Sequence, residues 1–167
     1  SSRRRHTRSK RDWSSEVLFR SWARYLFENY AHPRSDRQPP DPIKDLKAEP
    51  LGGGKLRLTW TAPVDPRRMP EHAQLGGALV QEYQLKHAAL PIVTWDEFYK
   101  TYPNDMGKKM SWFGAYNVAG EPKPGRPGLK QSMTVTVPTG TRYFRIRSWD
   151  ASMNQSALSN EVKVEVR

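Results

Sequence analysis

The chain has 167 residues, of which 36% are hydrophobic, and its formal net charge is +11. The hydrophobic fraction lies below the ~45–50% of average globular proteins, so part of the chain need not belong to a core, and its size allows one compact core of about 100–120 residues. The absence of cysteine excludes a disulfide framework and thiol chemistry. We recognise no signal peptide and no apolar run near the ~20 residues of a membrane span, and the start at Ser1 indicates a fragment.

Residues 1–12 predict a basic tail without structure of its own. Its basic side chains carry more than half of the net charge, and they are candidates for binding a polyanion. No aromatic residue lies between them to stack on bases, so nucleic acid is not an expected partner. The candidate residues are Arg3, Arg4, Arg5, Arg8, Lys10 and Arg11.

Residues 13–31 have the periodicity of an amphipathic helix. Ser14 stands at the N-cap position, and Leu18 and Trp22 begin a broad apolar face that requires a partner surface. A proline-rich linker follows at 32–42. We expect residues 13–38 to be the helix and linker that end a preceding domain.

Residues 39–167 are patterned as a β module. Several short alternating segments are separated by turn signals such as the Gly52–Gly54 run, which is typical of a β-sandwich. The strand candidates are 43–48, 55–61, 80–87, 133–137, 142–149 and 157–166.

A long insertion at 91–129 interrupts the strands. Thr94 and Glu97 form a capping box, which predicts a short helix as far as Tyr102, and 111–118 predicts a further strand. The aromatic residues of the insertion either pack it over the edge of the sandwich or against a neighbouring domain, or they form an exposed ligand site, and we favour packing. The candidate ligand-binding residues are Trp95, Tyr99, Tyr102, Trp112, Phe113 and Tyr116.

No catalytic constellation is recognisable in the sequence. The adjacent acids Asp96 and Glu97 are explained by helix capping, and Asp150 with Asn154 suits a turn better than a calcium site. The histidines lack metal-ligand spacing, and neither a nucleophile elbow nor a phosphate-binding loop is present. We therefore expect no enzyme activity, no metal and no cofactor.

The β module resembles a fibronectin type III domain, as found at the C-terminus of bacterial secreted multidomain enzymes. Residues 39–63 resemble strands A and B, 82–92 strand C, and 137–162 the corner and strands that end the fold. The resemblance implies that Trp60 is the buried tryptophan of strand B and Tyr143 the tyrosine of the corner. The expected core residues are Trp60, Tyr83, Leu85, Tyr143, Ile146 and Val162.

This resemblance also implies a function. Such a domain serves as a non-catalytic accessory or spacer module, here as the C-terminal fragment of an extracellular or periplasmic polysaccharide-acting enzyme, with the neighbouring catalytic domain as partner. A carbohydrate-binding module that uses the aromatics of 91–129 is one alternative. Binding of nucleic acid or another polyanion through the tail is the other.

Overall fold

A computed structural model describes residues 38–66 and 80–167. The predicted basic tail and amphipathic helix lie outside these residues. The described chain contains the elements β1 (Lys47–Gly52), β2 (Lys55–Thr61), β3 (Val80–Ala88), β4 (Ile92–Val93), α1 (Trp95–Lys100), β5 (Met110–Ser111), β6 (Tyr116–Asn117), β7 (Lys130–Thr136), β8 (Gly140–Asp150) and β9 (Val162–Val166).

Two antiparallel sheets form the body of the module. One has the strand order β1-β2-β7, and the other has the order β6-β3-β8-β9. This places the predicted strands A, B and E in one sheet and C, F and G in the other, as in an immunoglobulin-like sandwich. The all-β fold predicted from the sequence, with a helix in the insertion between β3 and β7, is confirmed.

The core lies between the inner faces of the two sheets. Alternate residues of β2 point inward, and Leu58 and Trp60 are fully buried there. The Trp60 ring meets the Tyr83 ring edge to face, with 5.4 Å between centroids. The Tyr83 hydroxyl on β3 donates a hydrogen bond to the Gln131 side-chain oxygen on β7, so one tyrosine joins both sheets.

The other expected core residues divide between two faces. Leu85 and Ile146 are fully buried between the sheets, and Val162 packs against them while partly buried. Tyr143, in contrast, lies on the outer face of β8, because the alternation of that strand turns Phe144 inward. In the described chain the Tyr143 hydroxyl makes no hydrogen bond, so the prediction that Tyr143 is the tyrosine of the corner is wrong.

Two predicted strands start later than expected because side chains replace part of the backbone ladder. Strand β1 starts at Lys47 and not at 43, since the Asn160 side chain bonds both the N–H and the carbonyl of Leu46. Strand β9 starts at Val162, because the hydroxyls of Ser156 and Ser159 accept hydrogen bonds from β8 amides before it. The backbone polar groups of these segments therefore keep hydrogen-bond partners, although the segments are not regular strands.

Asp45 lies just before β1, and its side chain bonds to β2 and β7, the other two strands of the same sheet. Its carboxylate accepts hydrogen bonds from the backbone N–H and hydroxyl of Thr61, at 2.9 and 2.6 Å, and from Lys130 Nζ at 2.6 Å. Partial burial raises the pKa of Asp45, but the bonds from Lys130 and Thr61 outweigh it and lower the pKa to about 2.

Replacing Asp45 by asparagine is expected to lower the free energy of unfolding at pH 7 by about 1 kcal/mol, a modest value because the ion pair is partly exposed. Since the folded-state pKa is depressed, this stabilisation is present above pH 3.8 and is lost as the pH falls through about 2. Urea unfolding of both proteins from pH 7 to pH 2 measures the difference, with Asp96→Asn as control. A difference that stays constant with pH would contradict the role of the charge.

Candidate functional site

The insertion is held by a cap at its helix and a short ladder at its base. The Glu97 carboxylate accepts the Thr94 N–H at 2.9 Å, and the Thr94 hydroxyl accepts the Glu97 N–H at 3.2 Å, which completes the predicted capping box. Strands β4 and β5 pair in parallel, with Ile92 opposite Met110. The helix ends at Lys100, and the strand expected at 111–118 is instead split into β5 and β6.

Trp112 anchors the insertion to the outer face of the four-stranded sheet. Its side chain is 2% exposed, and it belongs to a second apolar cluster with Ala88 and Ile92, against which Tyr143 packs. Trp112 is therefore not part of an exposed ligand-binding surface, and the prediction that it binds a ligand there is wrong. The indole is used to bury the outer face of β3 and β8.

Two basic side chains contact the Trp112 ring. Lys86 Nζ and Arg147 Cζ each lie 5.1 Å from the ring centroid. Lys86 Nζ also donates to the Trp112 carbonyl at 3.0 Å, and Arg147 Nη1 donates to Gln155 Oε1 at 2.6 Å. Burial, and to a lesser degree the Arg147 charge, lower the pKa of Lys86, and burial also lowers the pKa of Arg147.

Four of the candidate aromatics form a contiguous exposed cluster on α1 and the segment after β5. We define the aromatic patch as Trp95, Phe98, Tyr99, Tyr102 and Phe113. Of its members, Trp95 is 50%, Tyr99 64%, Tyr102 52% and Phe113 71% exposed.

Neighbouring rings of the aromatic patch are oriented in a regular way. Tyr99 and Tyr102 are 6.2 Å apart between centroids, with 5° between their planes. Trp95 lies 5.9 Å from Tyr99 at 28°, and Phe113 meets Trp95 edge to face at 6.2 Å. Phe98 contacts both Trp95 and Tyr102. Tyr99 and Tyr102 are therefore nearly parallel and exposed, whereas Phe113 stands edge-on to Trp95.

Tyr116, the remaining candidate, is part of a different contact. It is exposed on β6, and its ring stacks on His87 at 5.6 Å between centroids. His87 also contacts Phe144, and burial together with the Arg142 charge lowers the pKa of His87. The Tyr116 ring thus covers the edge of β3.

The polar loop after β8 is built by turn chemistry. The Asp150 carboxylate accepts the backbone N–H groups of Ser152 and Asn154, each at 2.8 Å. Across residues 38–66 and 80–167, no group of three or more His, Cys, Asp or Glu side chains is arranged to hold a metal ion. In the same residues, no helix is long and apolar enough to cross a membrane.

Sequence reasoning missed Lys86 and Arg147 as members of the site. The sequence feature that could have revealed them is the alternation of β8, which places Arg145 and Arg147 on the face opposite Phe144 and Ile146. That face is covered in part by the insertion, so its basic residues lie at a packed surface and not in free solvent.

Comparisons with known proteins found similarity to solved structures alone. No protein-family model and no curated protein matches the sequence. Among solved structures, a fibronectin type III domain of the human KIAA0970 protein is similar over 87% of this chain and 81% of that one, with 12% identity and a TM-score of 0.45. The strand order itself defines the fold as a fibronectin type III β-sandwich.

Two enzymes contain similar regions. The spore cortex lytic enzyme SleM of Clostridium perfringens matches 76% of this chain at 16% identity, with a TM-score of 0.40. This chain spans only 28% of the length of that enzyme. The family 28 exopolygalacturonase of Yersinia enterocolitica matches 75% of this chain and 20% of its own, at 17% identity and a TM-score of 0.38.

Proposed function

We propose that this chain is a non-catalytic accessory module of a larger secreted protein that acts on polysaccharide, and that it binds a polysaccharide chain through the aromatic patch. The observation that carries the proposal is the set of large aromatic rings left exposed on and beside a helix whose start is fixed by a capping box. A soluble domain rarely exposes a contiguous apolar surface without a binding role.

The contrast between two neighbouring residues supports a binding role. Trp112 is buried against the sheet, whereas Phe113, the next residue, is exposed and contacts Trp95. The insertion is thus anchored by one aromatic side chain and presents others outward. Packing of the insertion onto the sheet requires the buried aromatic side chain, but it does not require the exposed ones.

The orientation of the rings suits a sugar chain. Pyranose rings have apolar C–H faces that stack on flat aromatic rings, and Tyr99 with Tyr102 presents two such rings within 5° of parallel. The phenol hydroxyls add polar groups at the edge of an apolar surface. A hydroxyl-rich, ring-shaped ligand needs both.

The patch is also preorganised for binding. The capping box fixes the start of α1, and the amides of Met110 and Trp112 donate to the carbonyls of Pro91 and Val93 at 2.8 Å. Because the rings are already placed in the free protein, a ligand loses less ordering free energy on binding.

Docking onto a neighbouring catalytic domain is the second candidate function. Met106, which is 61% exposed, lies four residues after Tyr102, and methionine together with aromatic residues is enriched in protein interfaces. The two candidates differ in the ligand that the same surface contacts.

Replacing Tyr99 or Tyr102 by alanine is expected to weaken polysaccharide binding about fivefold or more, because stacking on an aromatic ring contributes ~1–3 kcal/mol in the comparable case of nucleic-acid bases. Tryptophan fluorescence titration of the full chain with a panel of neutral and acidic polysaccharides measures the affinity. Leu51→Ala, which removes an exposed apolar side chain from the other sheet, is the matched control.

The result that contradicts polysaccharide binding is an affinity that the tyrosine substitutions leave unchanged, or no binding by the unaltered chain. If the same substitutions instead release a separately produced catalytic domain, docking between domains is the function of the patch.

A further inference from the structure

Among the residues that the structure describes, Lys86 and Arg147 are two neighbouring cations without an acidic partner. Lys86 is 6% exposed, and within the described residues no carboxylate lies within ion-pair distance of either side chain. Burying like charges side by side is costly unless an opposite charge is close. The Trp112 ring offsets part of this cost, but it brings no negative charge.

Arg145, which lies on the same face of β8 as Arg147, does have an acidic partner. Arg145 Nη1 donates to the Ser159 carbonyl at 2.8 Å, and its Nε lies 3.5 Å from the Glu161 carboxylate. Arg147 donates only to the neutral Gln155 side chain, and its Nε, like that of Arg145, has no hydrogen-bond partner; the difference is that no described carboxylate lies near Arg147. Most of the donors of the Arg147 guanidinium are therefore not used within the module.

The cation pair and the aromatic patch are linked through two consecutive residues of the insertion, Trp112 and Phe113. Trp112 contacts both cations, and Phe113 reaches Trp95 in the patch. Consecutive Cα atoms are about 3.8 Å apart, so one short segment touches both features.

We propose that Arg147, with Lys86 behind it, binds the carboxylate or sulfate groups of an acidic polysaccharide whose sugar rings lie on the aromatic patch. This inference rests on the proposed polysaccharide binding and names the class of polysaccharide. The Arg147 guanidinium provides the planar donor fork that matches a carboxylate or a sulfate. Lys86 is too buried to contact the polymer closely, and it adds positive potential.

Arg147→Gln in the full chain is expected to weaken binding to polygalacturonate and to dextran sulfate about tenfold, because a charge-assisted contact is lost. Binding to uncharged dextran, where it occurs, should change less than about twofold. Arg57→Gln is the matched control, since it removes the same charge from β2 in the other sheet and leaves the basic tail intact. Arg147→Lys should recover part of the lost affinity, and unchanged thermal unfolding shows that the variants fold.

The outcomes separate this inference from the proposed function. If Arg147→Gln behaves like Arg57→Gln while Tyr99→Ala still weakens binding, the acidic preference is wrong and polysaccharide binding stands. If neither Tyr99→Ala nor Arg147→Gln weakens binding to any polymer, both proposals fall. If sodium sulfate displaces the polymer while sodium chloride of equal ionic strength does not, the site is specific for the oxyanion; equal displacement by both salts contradicts it.

Discussion

Replacing Trp112 by alanine is expected to lower the free energy of unfolding by about 3–5 kcal/mol, the range for large aromatic residues removed from a packed site. The side chain fills the space between the insertion and the outer face of the sheet, where it contacts Ile92 and Ala88 in one cluster. Its removal also leaves Lys86 and Arg147 without the ring that both contact. The loss therefore combines a cavity with two poorly compensated charges.

Chemical denaturation measures this loss, and hydrogen exchange locates it. Amides of the insertion, such as that of Met110, should lose protection before those of β2, because Trp112 anchors the insertion and not the core between the sheets. Phe113→Ala is the control, since this adjacent ring is exposed and its loss should cost less than about 0.5 kcal/mol. Equal costs for the two substitutions would show that Trp112 is not the anchor.

Replacing Trp60 by alanine is expected to cost about 3–5 kcal/mol in the core between the sheets. Trp60 is fully buried on β2, and its contact with Tyr83 joins the face of one sheet to that of the other. Small domains have unfolding free energies of about 5–15 kcal/mol, so this single change removes a large share of the total. Much of the chain should be unfolded at moderate temperature.

Thermal unfolding followed by circular dichroism tests the Trp60 prediction. Trp60→Phe is the matched variant, because it keeps an aromatic ring against Tyr83, and it should lose less than half as much stability as Trp60→Ala. A Trp60→Ala protein as stable as the unaltered chain would mean that the core does not depend on this contact.

The sequence was most informative where local chemistry decides the structure. The capping box of Thr94 and Glu97 predicted α1, because both hydrogen bonds form between residues three apart. The alternation of β2 predicted an inward Trp60, since one face of that strand is apolar and the other is polar. Such features need no knowledge of distant segments.

The sequence was least informative where a distant segment covers a strand. On β8, Tyr143 and Phe144 both have large apolar rings, and both faces of the strand are covered, one by the other sheet and one by the insertion. Trp112 and Phe113 are adjacent in a segment without periodicity, so their opposite exposures depend on which one meets the sheet. The cation pair depends on strand register, because Lys86 and Arg147 are far apart in the chain.

The parallel pairing of β4 and β5 has a consequence for variation of the insertion. The connection 94–109 leaves at one end of this ladder and returns at the other, and its ends stay close because the ladder has only two pairs, Ile92 with Met110 and Val93 with Ser111. The free-energy cost of closing a loop rises only slowly with its length. The helix and its rings can thus be lengthened, shortened or exchanged for another loop at this ladder while the sandwich below stays the same, which makes α1 a graftable recognition loop on a constant framework.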